Sequence, residues 1–106
     1  RLAIRDRGSD MSQQKAAASA YGVLKGDESL VVSSTAVPLA SVASGALTAL
    51  VTNGAEPIRV RWGTPTASVG HYLNPYSVIE LFNNMDDVKF IRAGSSDSTI
   101  FVTYFG

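Results

Sequence analysis

Short apolar runs separated by small and polar residues dominate the chain from Leu30 onward. The runs are rich in β-branched and aromatic residues, and several alternate apolar with polar positions, as strands do. The Ser, Thr, Gly, Pro and Asn residues between them are typical of turns. The runs are SLVVSSTAVPLAS (29–41), ALTALVTN (46–53), PIRVRW (57–62), YSVIELF (76–82), VKFIRA (88–93) and STIFVTYF (98–105).

This spacing of strands predicts an all-β fold, namely a single β-sandwich or jelly-roll-like domain of about 6–8 short strands. One segment, LASVASGALTAL (39–50), also allows a helical interpretation. Its Val42, Gly45 and Thr48 weaken that interpretation, because these residues are poor helix formers.

The alternation in PIRVRW assigns its side chains to two faces of one strand. Ile58, Val60 and Trp62 share a face, which we expect to lie in the core. Arg59 and Arg61 share the opposite, outward face.

The last strand differs, because both of its faces carry large apolar groups. Ile100, Val102 and Tyr104 alternate with Phe101 and Phe105. We expect one face to pack in the core and the other, with Phe101 and Phe105, to contact a partner subunit.

The first 26 residues have a different composition and predict an extended N-terminal arm before a sandwich domain at 27–106. SQQKAAASAY (12–21) favours a short helix within the arm, with Ser12 as its N-cap. Residues 1–26 hold five basic and two acidic residues, a net charge of +3, and the remainder holds four basic and seven acidic residues, a net charge of −3. The arm therefore either contacts an acidic surface, such as a neighbouring copy, or is a solvated tail. Its candidate contact residues are Arg1, Arg5, Arg7 and Tyr21.

Length and composition restrict the remaining possibilities. With 106 residues, of which 45% are apolar, the chain has enough material for one core. It contains no cysteine, which excludes disulfides, cysteine-based zinc sites and thiol nucleophiles. It has no apolar run that approaches the length of about 18 residues needed to span a membrane. We expect a soluble protein, made in a cytoplasm, that does not bind membranes.

Candidate catalytic and metal-binding residues are few. His71 is the single histidine, and the nearby Ser68 lacks the glycine that opens a nucleophile elbow. NNMDD (83–87) carries oxygen ligands suited to Ca²⁺, but Asn and Asp are also the usual residues of a turn. We expect a turn, with no metal, no cofactor and no enzymatic activity.

Arg59, Arg61 and Arg92 would form a basic patch if their strands are adjacent. Nucleic-acid recognition usually adds exposed aromatic residues and a basic net charge, whereas residues 27–106 are acidic. We therefore expect these arginines to pair with Glu80, Glu56 or the carboxylates of a protein partner, and expect no nucleic-acid binding.

One long segment resembles a known family. ALTALVTNGAE, PIRVRWGTPTASVGHYL, VIELF and VKFIRAGSSDSTIFVTYF, between Ala46 and Phe105, are similar to a group of small β-sandwich virion proteins of tailed bacteriophages. In that group the second arginine is often followed by acidic residues, whereas here Trp62 runs directly into Gly63. The matching positions are Glu56, Ile58, Arg59, Arg61, Gly63, Thr64, Pro65, Thr66, Gly70, Phe90, Ile91, Arg92, Val102, Thr103 and Tyr104.

The resemblance implies a structural component of a virion. Its implied role is a capsid decoration or cement protein that binds the outside of the major capsid protein lattice, and its implied location is the capsid surface. We expect self-association, as a trimer, and an arm that bridges to a neighbouring capsomer. The alternatives are a structural or adaptor protein of the tail, neck or baseplate, and a receptor- or glycan-binding fibre domain that uses Tyr72 and Tyr76.

Overall fold

Eight β-strands make up the regular structure of the computed structural model, which describes residues 22–106. One short 3-10 turn, Met85–Asp87, precedes the seventh strand. The prediction of an all-β fold is confirmed. The strands are β1 (Leu24–Val32), β2 (Val37–Pro38), β3 (Thr48–Thr52), β4 (Ile58–Trp62), β5 (His71–Leu73), β6 (Val78–Leu81), β7 (Val88–Arg92) and β8 (Ser98–Phe105).

The strands form two antiparallel sheets of four, as expected of a β-sandwich. The first sheet has the order β1-β8-β3-β6, and the second sheet has the order β2-β7-β4-β5. The last strand, β8, lies inside the first sheet and pairs with β1 along almost its whole length. Each sheet therefore combines strands that are distant in the sequence.

The core lies between the sheets and is built by alternation. On β8 the side chains of Ile100, Val102 and Tyr104 are buried, and on β4 those of Ile58 and Val60 are buried. Their neighbours in the sequence point outward, as the period of two in a strand requires. The other buried apolar residues of this core are Val32, Leu39, Ala49, Val51, Leu73, Leu81, Met85, Val88 and Phe90.

Trp62 does not belong to this core, so that prediction is wrong. Its side chain is 44% exposed, and its indole Nε1 donates a hydrogen bond to the carbonyl oxygen of Asn83 at 2.9 Å. Trp62 is the last residue of β4 and pairs on one side only, with Val88 of β7, because β5 begins at His71, opposite Val60. Alternation assigns a face of a strand but does not show where along the strand burial ends.

Two other segments differ in detail from the predicted runs. The run 29–41 is divided, because β1 ends at Val32 and a bend precedes the two-residue strand β2. The segment 39–50 contains a turn at residues 44–45 and then enters β3, so it is not helical.

The first sheet begins at Leu24, within the range 1–26 that the sequence assigned to the arm. Val23 and Gly106 exchange two backbone hydrogen bonds, of 2.7 and 2.8 Å, so the described chain starts beside the end of β8. Gly22 has a φ of +85°, and a Cβ there would lie 2.6 Å from the carbonyl oxygen of Gly106, a contact that only glycine avoids. The predicted helix at 12–21 and the candidate contacts Arg1, Arg5, Arg7 and Tyr21 lie outside the described residues.

Candidate interaction surfaces

The loop between β4 and β5 is held by the two arginines of β4. Arg59 Nε donates to the carbonyl oxygen of Ala67 at 2.8 Å, and its Nη1 donates to that of Gly70 at 3.0 Å. Arg61 Nη1 donates to the carbonyl oxygen of Thr64 at 3.1 Å. Within residues 22–106 both guanidinium groups thus bind backbone carbonyls, in place of the carboxylates of Glu80 or Glu56 that were expected.

The loop itself, residues 63–70, folds back on β4. Thr66 and Val69 exchange two backbone hydrogen bonds and form a tight turn, and Pro65 is buried beneath it. A Cβ at Gly70 would lie 3.1 Å from the carbonyl oxygen of Val60, and the φ of Gly70 is +133°. The chain passes so close to β4 here that a glycine is needed.

The outer face of the second sheet is occupied by these internal contacts. The guanidinium of Arg59 lies 5.2 Å from the ring centroid of Tyr72, a cation–π distance. Lys89 Nζ lies 3.5 Å from the hydroxyl of Thr64. The positive charges on this face therefore hold the chain's own loop.

Arg92 does not join Arg59 and Arg61, although β4 and β7 are neighbours. The register places Arg92 opposite Ile58, whereas Arg59 is opposite Ile91. Because side chains alternate along a strand, Arg92 lies on the other face of the sheet. It forms an ion pair with Asp97 at 2.7 Å. The three arginines consequently do not form one basic patch.

The outer face of the first sheet, by contrast, exposes apolar side chains. Phe101 on β8 is 47% exposed, and Val78 on β6 is 56% exposed. Both are opposite Thr52 of the central strand β3, so they lie in one row across the sheet. The half-buried Leu50 occupies the next row, and the exposed Val31 and Phe82 extend the surface. We call this surface the apolar face.

Acidic residues flank the apolar face on both edge strands. Asp27 of β1 is opposite Thr103, which is opposite Leu50, which in turn is opposite Glu80 of β6. Asp27 and Glu80 are exposed. The row therefore has a carboxylate at each end, with Thr103 and Leu50 between them.

Phe101 and Phe105, the residues expected to contact a partner, both lie on the outward side of β8. Phe105 is half-buried and opposite Thr48 of β3. The prediction that β8 carries large apolar groups on both faces is confirmed. That a partner subunit covers the outer face of β8 stays a prediction.

Two buried polar groups were missed by the sequence analysis. The hydroxyl of the fully buried Tyr104 donates to the carboxylate of Glu28, which also accepts the backbone N–H groups of Ala40 (3.2 Å) and Ser41 (2.9 Å). Burial, and then the hydrogen bond to Glu28, raise the pKa of Tyr104 far above its ordinary value. The neutral phenol thus anchors Glu28, which anchors the loop that follows β2.

The second group is Asn53, buried at the end of β3. Its Nδ2 donates to the carbonyl oxygens of Glu56 (2.8 Å) and Asn74 (3.0 Å), and its Oδ1 accepts the hydroxyl of Ser98 (2.9 Å). One side chain thus ties β8 to two loops at this end of the sandwich. In the sequence Asn53 is only the last residue of the predicted strand run 46–53, with no sign of these partners.

The candidate catalytic and metal-binding residues do not come together. His71 is exposed at the start of β5, and within residues 22–106 no three His, Cys, Asp or Glu side chains are close enough to hold a metal ion. Asn84, with a φ of +53°, precedes the 3-10 turn, so NNMDD forms a turn as predicted. An open depression of about 350 Å³ lies beside it, between Phe82, Leu47 and Met85. In the described part of the chain no helix is long and apolar enough to cross a bilayer.

Comparisons with protein families, with curated proteins and with solved structures found no match to this chain. The fold therefore assigns the protein to a class only. It is an all-β protein with two four-stranded antiparallel sheets.

Proposed function

We propose that the protein is a structural component of a tailed-bacteriophage virion, specifically a capsid decoration or cement protein on the outside of the major capsid protein lattice. The observation that supports an assembly role is the apolar face. Exposed phenylalanine and valine side chains on one face of a sheet, such as Phe101 and Val78, gain free energy when another protein surface covers them. The phage assignment itself rests on the resemblance of residues 46–105 to small virion proteins.

The arginine-held loop is consistent with such a role. A binding module has to present its surfaces without a large cost in conformational entropy, and hydrogen bonds from Arg59 and Arg61 restrain the loop before any partner arrives. The exposed turn at Thr66–Val69 is thus a preorganised projection of the second sheet.

Purified particles of the phage that encodes this chain provide the direct test. We expect the protein in those particles at many copies, and antibody labelling on the head. Particles that contain none of it would overturn the proposal. Labelling confined to the tail, neck or baseplate would reject the capsid role and support the adaptor alternative.

A matched pair of variants tests the apolar face within this proposal. Phe101→Thr removes an exposed aromatic from the face, whereas Tyr76→Asn removes an exposed aromatic from a turn outside it. We expect the first variant to decorate shells at lower occupancy and the second to bind like the parent protein. Equal occupancy of both variants would show that the apolar face has no part in assembly.

The glycan-binding alternative gains little from the geometry. Trp62 and Tyr76 lie beyond opposite ends of the paired segment of β4 and β5, and one face of Tyr72 is near the Arg59 guanidinium. The three aromatic rings therefore do not form a single stacking platform. A glycan array with specific binders would nevertheless favour this alternative over a capsid role.

A further inference from the structure

We infer that Asn53 and Gly54 form a deamidation site that the folded protein suppresses, and that a chain deamidated there cannot refold. Unfolding then leaves a permanent covalent change in the chain. This property belongs to the chain itself and does not depend on the proposed role in a virion.

Deamidation of an asparagine uses the backbone nitrogen of the next residue as the nucleophile. The amide nitrogen of Gly54 loses its proton to solvent and attacks Cγ of Asn53, the bond between Cγ and Nδ2 breaks, and the side-chain nitrogen takes up a proton and leaves as ammonia. Water then opens the resulting five-membered imide to aspartate or isoaspartate. Glycine favours the attack because it has no side chain to shield its N–H group or to restrict the backbone. Of the four asparagines only Asn53 precedes a glycine, whereas Asn74 precedes Pro75, which has no N–H group.

The packing at this end of the sandwich requires both residues of the pair. The Asn53 side chain donates to the carbonyl oxygens of Glu56 and Asn74, at 2.8 and 3.0 Å, and accepts the hydroxyl of Ser98 at 2.9 Å. A Cβ on the next residue would lie 2.6 Å from the carbonyl oxygen of Thr99, so only a glycine fits there without a shift of β8. A reactive pair therefore lies where the fold leaves little room to replace either residue.

The folded state prevents the attack by holding both reacting groups. Asn53 is 2% exposed, and its backbone N–H donates to the carbonyl oxygen of Ser77 at 2.8 Å. The carbonyl oxygen of Gly54 accepts the N–H of Tyr76 at 2.8 Å. Ring closure requires Cγ and the glycine nitrogen to be in contact and aligned, with water present to exchange the protons. The side chain reaches that position only after its hydrogen bonds break, so the rate follows the population of an opened state.

Neither product of the reaction fits the site. In aspartate an oxygen replaces Nδ2 and faces the carbonyl oxygens of Glu56 and Asn74, so acceptors meet acceptors in a buried place. A buried carboxylate without a donor costs much free energy. Isoaspartate adds a methylene group to the main chain and displaces Gly54 from its close approach to Thr99. A chain that is modified while unfolded is therefore lost to the folded state.

Incubation of the full chain in mildly alkaline buffer, with and without guanidinium chloride, tests the suppression. Peptide mass spectrometry follows the conversion at Asn53. We expect conversion in the denaturant and a rate at least about 100-fold lower in buffer, because the folded state keeps the opened population small. Asn74 should remain unmodified in both samples, since Pro75 offers no nucleophile. Equal rates in the two samples, or no conversion in the denaturant, would overturn the inference.

Removal of the denaturant tests the second part. Size-exclusion chromatography should recover chains with an intact Asn53 in the compact fraction, and deamidated chains only in the unfolded or aggregated fraction. The Asn53→Asp variant should likewise fail to fold, whereas Asn74→Asp makes the same change at an exposed asparagine and should fold normally. Deamidated chains that refold in proportion to their amount would refute this part.

A matched pair of serine variants tests whether the hydrogen bonds of the site cause the suppression. Ser98→Ala removes the donor to Oδ1 of Asn53 and leaves the Asn-Gly pair intact, so deamidation in buffer should accelerate roughly tenfold. Ser96→Ala makes the same change at an exposed serine and should have no effect. All three proteins should react at one rate in guanidinium chloride, where the bond is absent. Equal rates of the two variants in buffer would show that these bonds do not protect Asn53.

Discussion

Replacement of Tyr104 by phenylalanine should destabilise the fold at neutral pH and lose that effect at high pH. Tyr104 is fully buried, and its hydroxyl donates to the carboxylate of Glu28. Phenylalanine keeps the packing of the ring and removes only the donor. In the variant the Glu28 carboxylate still accepts hydrogen bonds from the backbone N–H groups of Ala40 and Ser41. The substitution therefore removes a single hydrogen bond.

The expected cost follows from the type of bond. A hydrogen bond to a charged group contributes about 1.5–3 kcal/mol, more than a bond between neutral groups. Glu28 is half-buried and retains two other donors, so we expect a value near the lower end, about 2 kcal/mol. In a domain of this size that corresponds to a decrease in Tm of roughly 8–16 °C.

The pH dependence tests a second consequence of the same site, the burial of a neutral phenol that is hydrogen-bonded to Glu28. The pKa of Tyr104 is raised in the folded protein, above the value of about 10 that a tyrosine has in an unfolded chain. The contribution of the neutral phenol is therefore complete below about pH 10 and is lost as the pH rises toward the folded pKa, by up to about 1.4 kcal/mol per pH unit. The phenylalanine variant has no such loss, so the two free energies of unfolding should become equal near pH 11.5, about 1.5 pH units higher.

Urea unfolding followed by the fluorescence of Trp62 measures both effects, in the full chain at pH 7, 10 and 11. Tyr76→Phe is the matched control, because the Tyr76 side chain is 71% exposed and its hydroxyl should contribute little. Equal stability of the Tyr104→Phe variant and the parent at pH 7 would refute the reasoning. A stability difference that stays constant up to pH 11 would show that the pKa of Tyr104 is not raised in the folded protein.

Two further substitutions test the other internal contacts. Asn53→Leu should cost about 3 kcal/mol, because it leaves one buried hydroxyl and two loop carbonyls without their partner, and the exposed Asn74→Ala should be near neutral in the same denaturation experiment. Arg59→Lys keeps the charge but cannot reproduce both guanidinium bonds to the loop, so hydrogen exchange of the Val69 amide should accelerate roughly tenfold. Arg92→Lys, the same change on the other face of the sheet, should leave that exchange unchanged. Unchanged exchange in the Arg59 variant would show that other contacts hold the loop.

The faces of the strands were predictable because they depend on a local period. The alternation of Ile100, Val102 and Tyr104 with Phe101 and Phe105 is visible in eight consecutive residues, and the sandwich buries the first three as expected. A strand with one buried face has no freedom to shift by one residue without exposing its core side chains. Local pattern and tertiary burial therefore agree along β8.

The buried hydrogen bonds were not predictable, because their partners are far apart in the chain. Tyr104 and Glu28 are separated by 76 residues, and Ser98 and Asn53 by 45. Only the pairing of β8 with both β1 and β3 brings these residues together. The order of the strands in each sheet depends on the packing of the whole sandwich. The alternation of apolar and polar residues within one strand does not determine that order.

The contacts of Arg59 and Arg61 lie between these two cases, because their partners are close in the sequence but were not predicted. Arg61 binds a carbonyl three residues ahead and Arg59 one eight residues ahead, so both contacts are local enough to have been considered. Carboxylates were the expected partners of these guanidinium groups, because opposite charges attract. A glycine-rich loop that folds back on its own strand instead presents carbonyl oxygens, and the planar fork of arginine binds two of them at once.

Because Arg59 and Arg61 bind the chain's own loop, the outer faces of the two sheets have different roles. On the second sheet, the charged groups nearest the loop already have partners in the chain, so Arg59 should matter for loop order and stability more than for binding. On the first sheet, Phe101 and Val78 project outward with carboxylates on either side, so the free energy available for a contact lies there. Of the candidate contact residues in the described chain, Phe101 is therefore the one whose substitution should weaken association while the fold remains stable, and Arg59 is the one expected to show the reverse.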